Sequence, residues 1–419
     1  MIKQTKIQVW CIIVKKDWEA LRILHTSDWH IGKKLKEHDR TDEYRKFFDW
    51  LADIIASEKI DVLISAGDIF DNRNPSIESQ EIYYSFLGKI AGNTCRHVVI
   101  TAGNHDSAAF IDAPSALMER CDVSVVGRSS ENEIITLNDA QGKLELIVCA
   151  VPFLHEDDIK MTGESENFED SVKKIRAGIA DHYAKIFDKA RELQSSFDVP
   201  IVAMGHLFLD TSRRQNDEGE RTLYLGTAIE VRKDIFPDDI AYTALGHLHS
   251  PQKVGRSNIR YSGSPIALTF GELDVKKSVS IVDFDGKNFA GVREIHVPVF
   301  QKMERISGNM AGIEREIRAF IDKNESTWLE VMYTGNEAVG DLRERLDEIV
   351  KGSLVEVLSI RNESVSNIPI VQHNNINPSD IKPMEMLERY YSEKNISEAK
   401  REIFTPLYKE ILRELEIDY

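Results

Sequence analysis

Five short segments constrain the fold of this chain most, because each places polar side chains where an apolar strand turns into a loop. They are Asp28-Trp29-His30, Gly67-Asp68, Gly103-Asn104-His105-Asp106, Gly205-His206 and Gly246-His247-Leu248-His249. Open α/β sheets bind ligands beyond the carboxyl ends of their strands, so the five loops can converge on one cleft. The glycines permit tight turns and close backbone approach. The pattern predicts a layered α/β domain with one site at the strand ends.

The side chains of these segments are hard or borderline metal ligands. The candidate ligands among them comprise four imidazoles, two carboxylates and one carboxamide, from His30, His206, His247, His249, Asp28, Asp68 and Asn104. Mixed imidazole and carboxylate ligation suits manganese, iron or zinc. In extended backbone, residues i and i+2 point the same way, so Asp28 and His30 can hold one side of a site. His247 and His249 have the same spacing, and the two oxygens of Asp68 can bridge two cations.

Each segment alone also has an ordinary structural interpretation. An Asp-x-His triplet is common, and a GNHD sequence can be a turn in which Asn and Asp bond their own backbone. His25 is expected to be a packed core histidine, and four other isolated histidines are expected to be structural or solvent-facing: His97, His155, His182 and His373. A metal site is favoured because the five segments occur together and hold five of the twelve histidines.

Composition and charge limit the classes of partner. The 419 residues allow two to three domains, and no apolar run approaches the ~18 residues of a membrane helix. There are 53 basic and 70 acidic residues, a net charge of −17. A DNA substrate would therefore need bound cations, a local basic patch or a basic partner. The cysteines, Cys11, Cys95, Cys121 and Cys149, lack CxxC spacing, so we expect buried reduced thiols in a cytoplasmic protein.

The pattern of strands and helices predicts five parts of the chain. Residues 1–20 form an N-terminal extension, either an extra strand or an upstream start; export is disfavoured because the apolar stretch is short and lacks a cleavage pattern. Residues 21–300 form the α/β domain, with a helix capped by Thr41. Residues 301–362 read as a small helix–strand–helix–strand unit, 363–380 as a polar linker and 381–419 as a helical tail.

The segments HTSDWHIG, SAGDIFDNRNPS, ITAGNHDS, ALGHLHSPQ and YSGSPIALTFGE give the chain a family resemblance. Their order resembles that of the calcineurin-like metallophosphoesterases and, more narrowly, that of the SbcD family of bacterial nuclease subunits. The resemblance runs from Leu21 to the C-terminus and is weakest in the last third. It implies an α/β fold of two packed mixed sheets flanked by helices, with a small α+β capping domain at 301–362 and a helical tail.

The resemblance also implies a site with two divalent cations, expected to be Mn²⁺. One cation would be held by Asp28, His30, Asp68 and His249, and the other by Asp68, Asn104, His206 and His247. His105 would face the scissile phosphate as acid or charge stabiliser, with Asp106 orienting its ring. Archaeal and eukaryotic relatives carry a histidine where this chain has Asp71, so a selectivity role assigned to that histidine does not transfer.

The activity implied by the resemblance is that of a nuclease in an ATP-dependent complex. The chain would hydrolyse double-strand DNA ends as a 3′–5′ exonuclease and hairpins as an endonuclease, in DNA repair, replication and recombination. The alternative is a metallophosphoesterase acting on nucleotides or small phosphodiesters. The chain has no GxxxxGK[ST] segment, so an SbcC-type ATPase would supply ATP dependence. A homodimer of nuclease subunits within a heterotetramer, without membrane association, completes this expectation.

Contacts to DNA and to the ATPase are predicted for two groups of residues. Lys33, Lys34, Arg213 and Arg214 can contact phosphates, although solvated loop charge is the alternative. The tail presents apolar positions that include Leu387, Tyr390, Phe404, Leu407 and Ile411. Two short amphipathic helices cannot bury this stripe alone, so the tail either folds back on the body or docks on a partner helix. The resemblance favours docking on the ATPase.

Overall fold

The computed structural model describes residues 21–159, 168–210, 229–335 and 342–362, together with Met384, Leu387, Tyr391 and Arg401. The chain divides into two compact units, Met1–Glu363 and Ser364–Tyr419. The predicted N-terminal extension lies outside the described residues, and so do Cys11 and His373. Within the described part, no helix is long and apolar enough to cross a bilayer.

The elements are numbered along the chain. The strands are β1 (Arg22–Thr26), β2 (Val62–Ala66), β3 (His97–Thr101), β4 (Val123–Val126), β5 (Ile134–Asn138), β6 (Leu144–Ala150), β7 (Ile201–His206), β8 (Phe208–Leu209), β9 (Glu230–Val231), β10 (Tyr242–Gly246), β11 (Gln252–Lys253), β12 (Ile259–Tyr261), β13 (Ser278–Asp285), β14 (Asn288–His296), β15 (Lys302–Gly308), β16 (Thr327–Tyr333) and β17 (Val355–Asn362). The α-helices are α1 (Thr41–Ser57), α2 (Ile77–Ile90), α3 (Ala108–Asp112), α4 (Ser115–Met118), α5 (Phe168–Gln194), α6 (Met310–Ile321) and α7 (Leu342–Val350).

Two mixed sheets pack face to face and confirm the predicted fold class. The first has the order β14-β13-β1-β2-β3-β4, and the second has the order β11-β12-β10-β7-β6-β5. Strands β1 to β4 are mutually parallel, as are β6, β7, β10 and β12. The carboxyl ends of β1, β2 and β3 therefore lie along one edge, and so do those of β7 and β10. This arrangement places the five polar segments at strand ends.

Alternating side chains of the central strands build three apolar layers. Leu24 of β1 and Leu63 of β2 face α1 and α2, whereas Ile23 and Val62 face the second sheet. The outer face of the second sheet packs against α5, where Tyr183 is buried. Because both faces of each sheet are covered, the strands read as continuous apolar runs. The core thus holds the strand ends rigidly.

The structure corrects the prediction at the start of α1. Thr41 is the first helical residue and not the cap; Asp39 Oδ1 instead accepts the Thr41 amide at 2.8 Å. A carboxylate two residues upstream thus satisfies the amide at the start of α1, and the Thr41 side chain does not act as the cap. Among the cysteines, Cys95 and Cys149 are buried as predicted, but Cys121 is exposed.

The strands and helices from β15 to β17 form a small α+β unit with a parallel sheet in the order β15-β16-β17. Its core includes Ile313, Ile317 and Leu329. Strand β15 was not predicted, because the sequence KMERISG interleaves charged residues with its apolar ones. Arg305 of this strand donates to the buried Glu330 at 2.6 Å, which accounts for one of those charges.

This small unit contacts the loop that follows Asp28 and His30. A second apolar cluster joins loop residue Leu35 to Phe270, Met303, Trp328 and Leu358. Beside it, His38 Nε2 lies 3.0 Å from Glu356 Oε2, and the Trp328 indole donates to the other oxygen of Glu356 at 3.3 Å. The loop is therefore attached to the small unit by both apolar and polar contacts.

Candidate metal centre

Four of the predicted ligands have left-handed backbone conformations although none is glycine. The φ angles are 52° at Asp28, 47° at His30, 51° at Asp68 and 100° at His247. Such conformations are costly for non-glycine residues and persist when surrounding structure holds them. Backbone hydrogen bonds do so here: the Asp28 amide donates to Gly67 O and the His30 amide to Asp68 O, each at 3.0 Å. The strand-end loops are thereby locked to one another.

The two carboxylates lie deep in the cleft and are partly oriented by protein donors. Asp28 accepts the His247 amide at 2.8 Å and the Ser27 hydroxyl at 2.5 Å. Burial raises the pKa of Asp28. Asp68 accepts the His105 amide at 2.9 Å. Burial opposes its ionisation, but His206 and the other nearby imidazoles hold the pKa of Asp68 well below its usual range.

One group of donors is formed by Asp28, His30 and His249, whose ligand atoms lie within 4.8 Å of one another. His30 Nε2 is 3.5 Å from Asp68 Oδ2, and its Nδ1 is 3.5 Å from Asp71 Oδ1. His249 Nδ1 donates to Glu272 Oε1 at 3.3 Å. With Nδ1 as the donor, Nε2 is the nitrogen of His249 that would act as a metal ligand.

A second group contains Asp28, Asp68 and His206, again within 4.8 Å. His206 Nδ1 donates to the Ala66 carbonyl at 2.9 Å, so Nε2 faces Asp68 Oδ2 at 3.3 Å and Asn104 Oδ1 at 3.0 Å. Burial alone would lower the pKa of His206, but Asp68 raises it to about 9. His247 Nδ1 is 3.2 Å from Asn104 Oδ1. All seven predicted ligands therefore converge on one cleft.

The donor set fits a pair of divalent cations. Both ring nitrogens of His30 are buried and have no hydrogen-bond partner among the described residues. Such burial is costly unless a ligand satisfies the nitrogens. Burial lowers the pKa of His30 and keeps the ring neutral, as metal ligation requires. Asp28 and Asp68 place two buried carboxylates next to each other, and these repel. Bound cations would offset this repulsion.

The structure corrects the predicted partner of His105. Its Nδ1 donates to the Asp71 carbonyl at 3.0 Å, so Nε2 is the acceptor nitrogen when the ring is neutral. Asp106 does not orient this ring; its carboxylate accepts the amides of Ile69, Phe70 and Gly103 at 3.0, 2.9 and 2.8 Å. Burial, together with repulsion from Asp68, raises the pKa of Asp106 to about 6. Asp106 joins the loops after β2 and β3.

The predicted DNA and partner residues are only partly described. Lys33 lies beside the cleft, with Nζ 3.0 Å from Asp71 Oδ1, and Lys34 is exposed. Arg213 and Arg214 lie outside the described residues, as do Tyr390, Phe404, Leu407 and Ile411. Leu387 is helical and half-buried.

The histidines predicted to be structural have ordinary partners where they are described. His25 is fully buried; Tyr242 donates to its Nδ1 at 2.9 Å, and its Nε2 donates to Leu245 O at 3.2 Å. Burial lowers the pKa of His25 to about 3, so the ring is neutral and part of the core. His97 Nε2 bonds Asn138 O at 2.8 Å, and His182 Nε2 bonds Glu133 at 2.6 Å.

Sequence reasoning missed the residues behind the ligands. Ser262 contacts Ser27 at 2.8 Å, and Ser27 in turn donates to Asp28. Glu272 bonds His249, and Asp71 approaches His30. Ser262 and Glu272 both belong to the segment YSGSPIALTFGE, which carried the family resemblance but supplied no predicted ligand.

The sheets and the donor set define a calcineurin-like phosphoesterase. In agreement, the family profile described as "Calcineurin-like phosphoesterase" matches residues 21–251, which include every predicted ligand. A second profile, described as "Type 5 capsule protein repressor C-terminal domain", matches residues 299–395.

Curated relatives narrow this class further. The SbcD subunit of nuclease SbcCD from Escherichia coli (strain K12) is 32% identical over 81% of this chain and 85% of its own length. The corresponding SbcD proteins from Rhodobacter capsulatus and Bacillus subtilis are each 35% identical, over 72% and 63% of this chain and 76% and 66% of their own lengths. The chain belongs to the SbcD family and is a metal-dependent nuclease.

Proposed function

We propose that this protein is the nuclease subunit of an ATP-dependent SbcCD-type complex that hydrolyses double-strand DNA ends in the 3′–5′ direction and cuts hairpins. Its role would lie in DNA repair, replication and recombination in the cytoplasm. The observation that carries the proposal is the convergence of the seven predicted ligand side chains from five strand ends, with His30 buried and without hydrogen-bond partners. Family membership connects that cleft to DNA.

The proposed ligand set divides the seven side chains between two cations, with Mn²⁺ the expected metal. Asp28, His30 and His249 would hold one cation; Asn104, His206 and His247 would hold the other; Asp68 would be shared. Bound cations of this kind activate water, offset phosphate charge and align an in-line attack. The residues themselves supply fixed geometry, because the loop hydrogen bonds hold each carboxylate in place before substrate arrives.

His105 is proposed to donate a proton to the leaving oxygen or to stabilise its charge. The Asp71 carbonyl fixes Nδ1 as the protonated nitrogen of the neutral ring, which makes Nε2 the site for proton exchange. Protonated at Nε2, the ring can donate to the departing oxygen or stabilise its charge. Asp106 acts one step further back, by holding the amides of both loops that flank the ring.

The substrate is tested with purified protein and manganese on a duplex labelled at either strand end, a hairpin and bis-p-nitrophenyl phosphate, each with and without the ATPase and ATP. We expect loss of label from the 3′ end and opening of the hairpin, both increased by the ATPase. Turnover of the small diester without DNA cleavage would contradict the proposal and favour the small-substrate alternative.

Partners are proposed from the sequence and from exposed apolar residues. The tail from residue 381, after the linker 363–380, is the proposed docking element for an SbcC-type ATPase. Ile77 and Tyr84 on α2 are 76% and 38% exposed, and Leu117 on α4 is 70% exposed. These exposed side chains lie on the two helices that we propose for the homodimer contact within a heterotetramer. Lys33, Lys34, Arg213 and Arg214 remain the proposed phosphate contacts. Residues 301–362 are proposed to be the capping domain of the nuclease cleft.

A further inference from the structure

We propose that Glu272 is a positioning residue of the nuclease site, which fixes the ring of His249 so that Nε2 points to the metal. This inference rests on the two-cation site proposed above. It assigns a function to the end of the YSGSPIALTFGE segment, which contributes no predicted ligand.

The carboxylate of Glu272 is almost fully buried, and both of its oxygens accept hydrogen bonds. Oε1 accepts His249 Nδ1 at 3.3 Å. Oε2 accepts Lys277 Nζ at 2.5 Å, the Leu268 amide at 3.0 Å and the Ser264 hydroxyl at 3.3 Å. A carboxylate restrained by these donors has little freedom to turn away from the imidazole, so it fixes both the tautomer and the orientation of the ring.

Lys277 makes this arrangement specific for His249. Its buried Nζ donates to the His249 carbonyl at 3.0 Å and to Ser264 Oγ at 2.8 Å, in addition to Glu272. The Ser264 amide also donates to the His249 carbonyl, at 3.2 Å. The Glu272–Lys277 pair thus holds the backbone and the ring of one ligand. A buried ion pair is weak evidence for stability, because desolvation offsets its attraction, so its contacts with His249 are the better explanation.

In the other proposed cation site, the histidine ring is bonded to a backbone carbonyl and not to a carboxylate. His206 Nδ1 donates to a neutral carbonyl, that of Ala66, at 2.9 Å. A carboxylate partner makes the opposite ring nitrogen a stronger base than a carbonyl partner does, and thus a stronger ligand. Loss of the Glu272 charge should therefore weaken one of the two cation sites and leave the other nearly unchanged.

The test is a Mn²⁺ titration of full-length protein, in which electron paramagnetic resonance measures free Mn²⁺. Wild type should bind two ions. Glu272→Gln should bind one ion with unchanged affinity and the second about 10- to 100-fold more weakly. The Mn²⁺ concentration that half-activates DNA cleavage should rise by a similar factor, while the rate at saturating Mn²⁺ changes little. A structural defect would instead lower the rate at every Mn²⁺ concentration.

Two further variants separate metal binding from stability. Glu133→Gln removes the charge of another buried carboxylate bonded to a histidine, His182, and should leave both Mn²⁺ affinities unchanged. Glu272→Gln combined with Lys277→Met replaces the buried ion pair by neutral groups of similar size. It should regain thermal stability relative to Glu272→Gln alone and keep the weakened Mn²⁺ site.

The outcomes distinguish this inference from the function on which it rests. Two unchanged Mn²⁺ affinities in both Glu272 variants would overturn the positioning role while leaving the two-cation site intact. A wild-type protein that binds no Mn²⁺ would instead contradict the proposed site itself.

Discussion

His30 and His105 illustrate how single residues in the cleft differ although their rings lie 4.8 Å apart. His30 is buried, neutral and without hydrogen-bond partners for its nitrogens, as suits a ligand. His105 is only half-buried, and its Nδ1 is bonded to the Asp71 carbonyl. Two histidine side chains thus have different environments within one cleft. Each environment predicts a different outcome when its histidine is substituted.

We expect His105→Ala to keep Mn²⁺ and DNA binding but to lose DNA cleavage by about 100- to 10,000-fold, because a positioned acid or base contributes that much. Filter binding and single-turnover cleavage would measure the two properties separately. His97→Ala, which removes a histidine outside the cleft, is the control. Normal cleavage by His105→Ala would show that the proposed role is wrong.

Single residues also mark what sequence can and cannot predict here. The convergence of the seven proposed ligands is predictable because residue type and strand end are local features. The contact of Ser262 with Ser27 joins positions far apart in the chain, and no spacing rule indicates it. The resemblance implies that Asp106 orients the ring of His105, yet the Asp106 carboxylate accepts backbone amides instead. The identity of a polar residue is local, whereas its partner depends on the tertiary fold.

The strand-end loops are elements in which glycine is required by close packing. A Cβ at Gly103 would overlap the carboxylate and the amide of Asp68. A Cβ at Gly67 would overlap the ring of His206, and its φ of +87° also disfavours a side chain. These contacts explain why the loops after β2 and β3 approach so closely. The loops therefore tolerate no added volume at these points.

Gly103→Ala should displace Asp68, reduce the free energy of unfolding by about 1–3 kcal/mol and weaken Mn²⁺ binding. Thermal unfolding and Mn²⁺ titration would measure both effects. Gly88→Ala is the matched control, because its Cβ meets no atom within 4 Å and alanine favours the α2 helix by up to about 1 kcal/mol. Unaltered Mn²⁺ binding by Gly103→Ala would argue against the close approach of these loops.

The end of α1 is attached to the first sheet by a pair with a defined pH dependence. A hydrogen bond from Arg293 on β14 lowers the pKa of Glu58. A lowered carboxylate pKa adds stability at pH values above the unfolded pKa, and this stability is lost as pH falls through the folded value. Glu58→Gln should thus cost up to about 1 kcal/mol near pH 7 and less at pH 2. Chemical denaturation at both pH values tests this, and an equal loss at both would contradict it.

The tail is an element whose predicted function can be tested by deletion. Removing residues 379–419 should leave cleavage of single strands intact but abolish co-purification with the ATPase, because the docking helices would be absent. Affinity purification of co-expressed proteins and a cleavage assay measure the two effects. Association of the truncated chain with the ATPase would count against a docking tail.

At the scale of the whole molecule, metal and fold are thermodynamically linked. The proposed ligands come from both sheets, so a cation bound by them stabilises the packed arrangement and not the unfolded chain. Ligand at 100 times its dissociation constant adds about 2.7 kcal/mol per site. The strand order is less predictable than the strand-end segments, because β13 pairs with β1 across more than half of the sequence and brings its hairpin partner β14 into the same sheet.

We therefore expect a chelator to lower the melting temperature of the purified protein and Mn²⁺ to restore it. Asp68→Asn should largely remove the Mn²⁺-dependent increment, since Asp68 is the shared ligand. Asp198→Asn, the same substitution at an exposed residue paired with Lys287, should retain it. Differential scanning calorimetry gives the comparison, and a full increment in Asp68→Asn would exclude a bridging role.

The stretch from Asp28 to Arg40 carries two ligands at one end and the contacts with the small α+β unit at the other. Leu35 and His38 are bound to that unit through Trp328 and Glu356, while the Ile31 amide is fixed to Ile69 O at 2.9 Å. A pull on the small unit would thus load the chain next to Asp28 and His30, and the Ile31–Ile69 hydrogen bond would resist it. The stretch is thus a short mechanical tether between two proposed ligands and the small α+β unit.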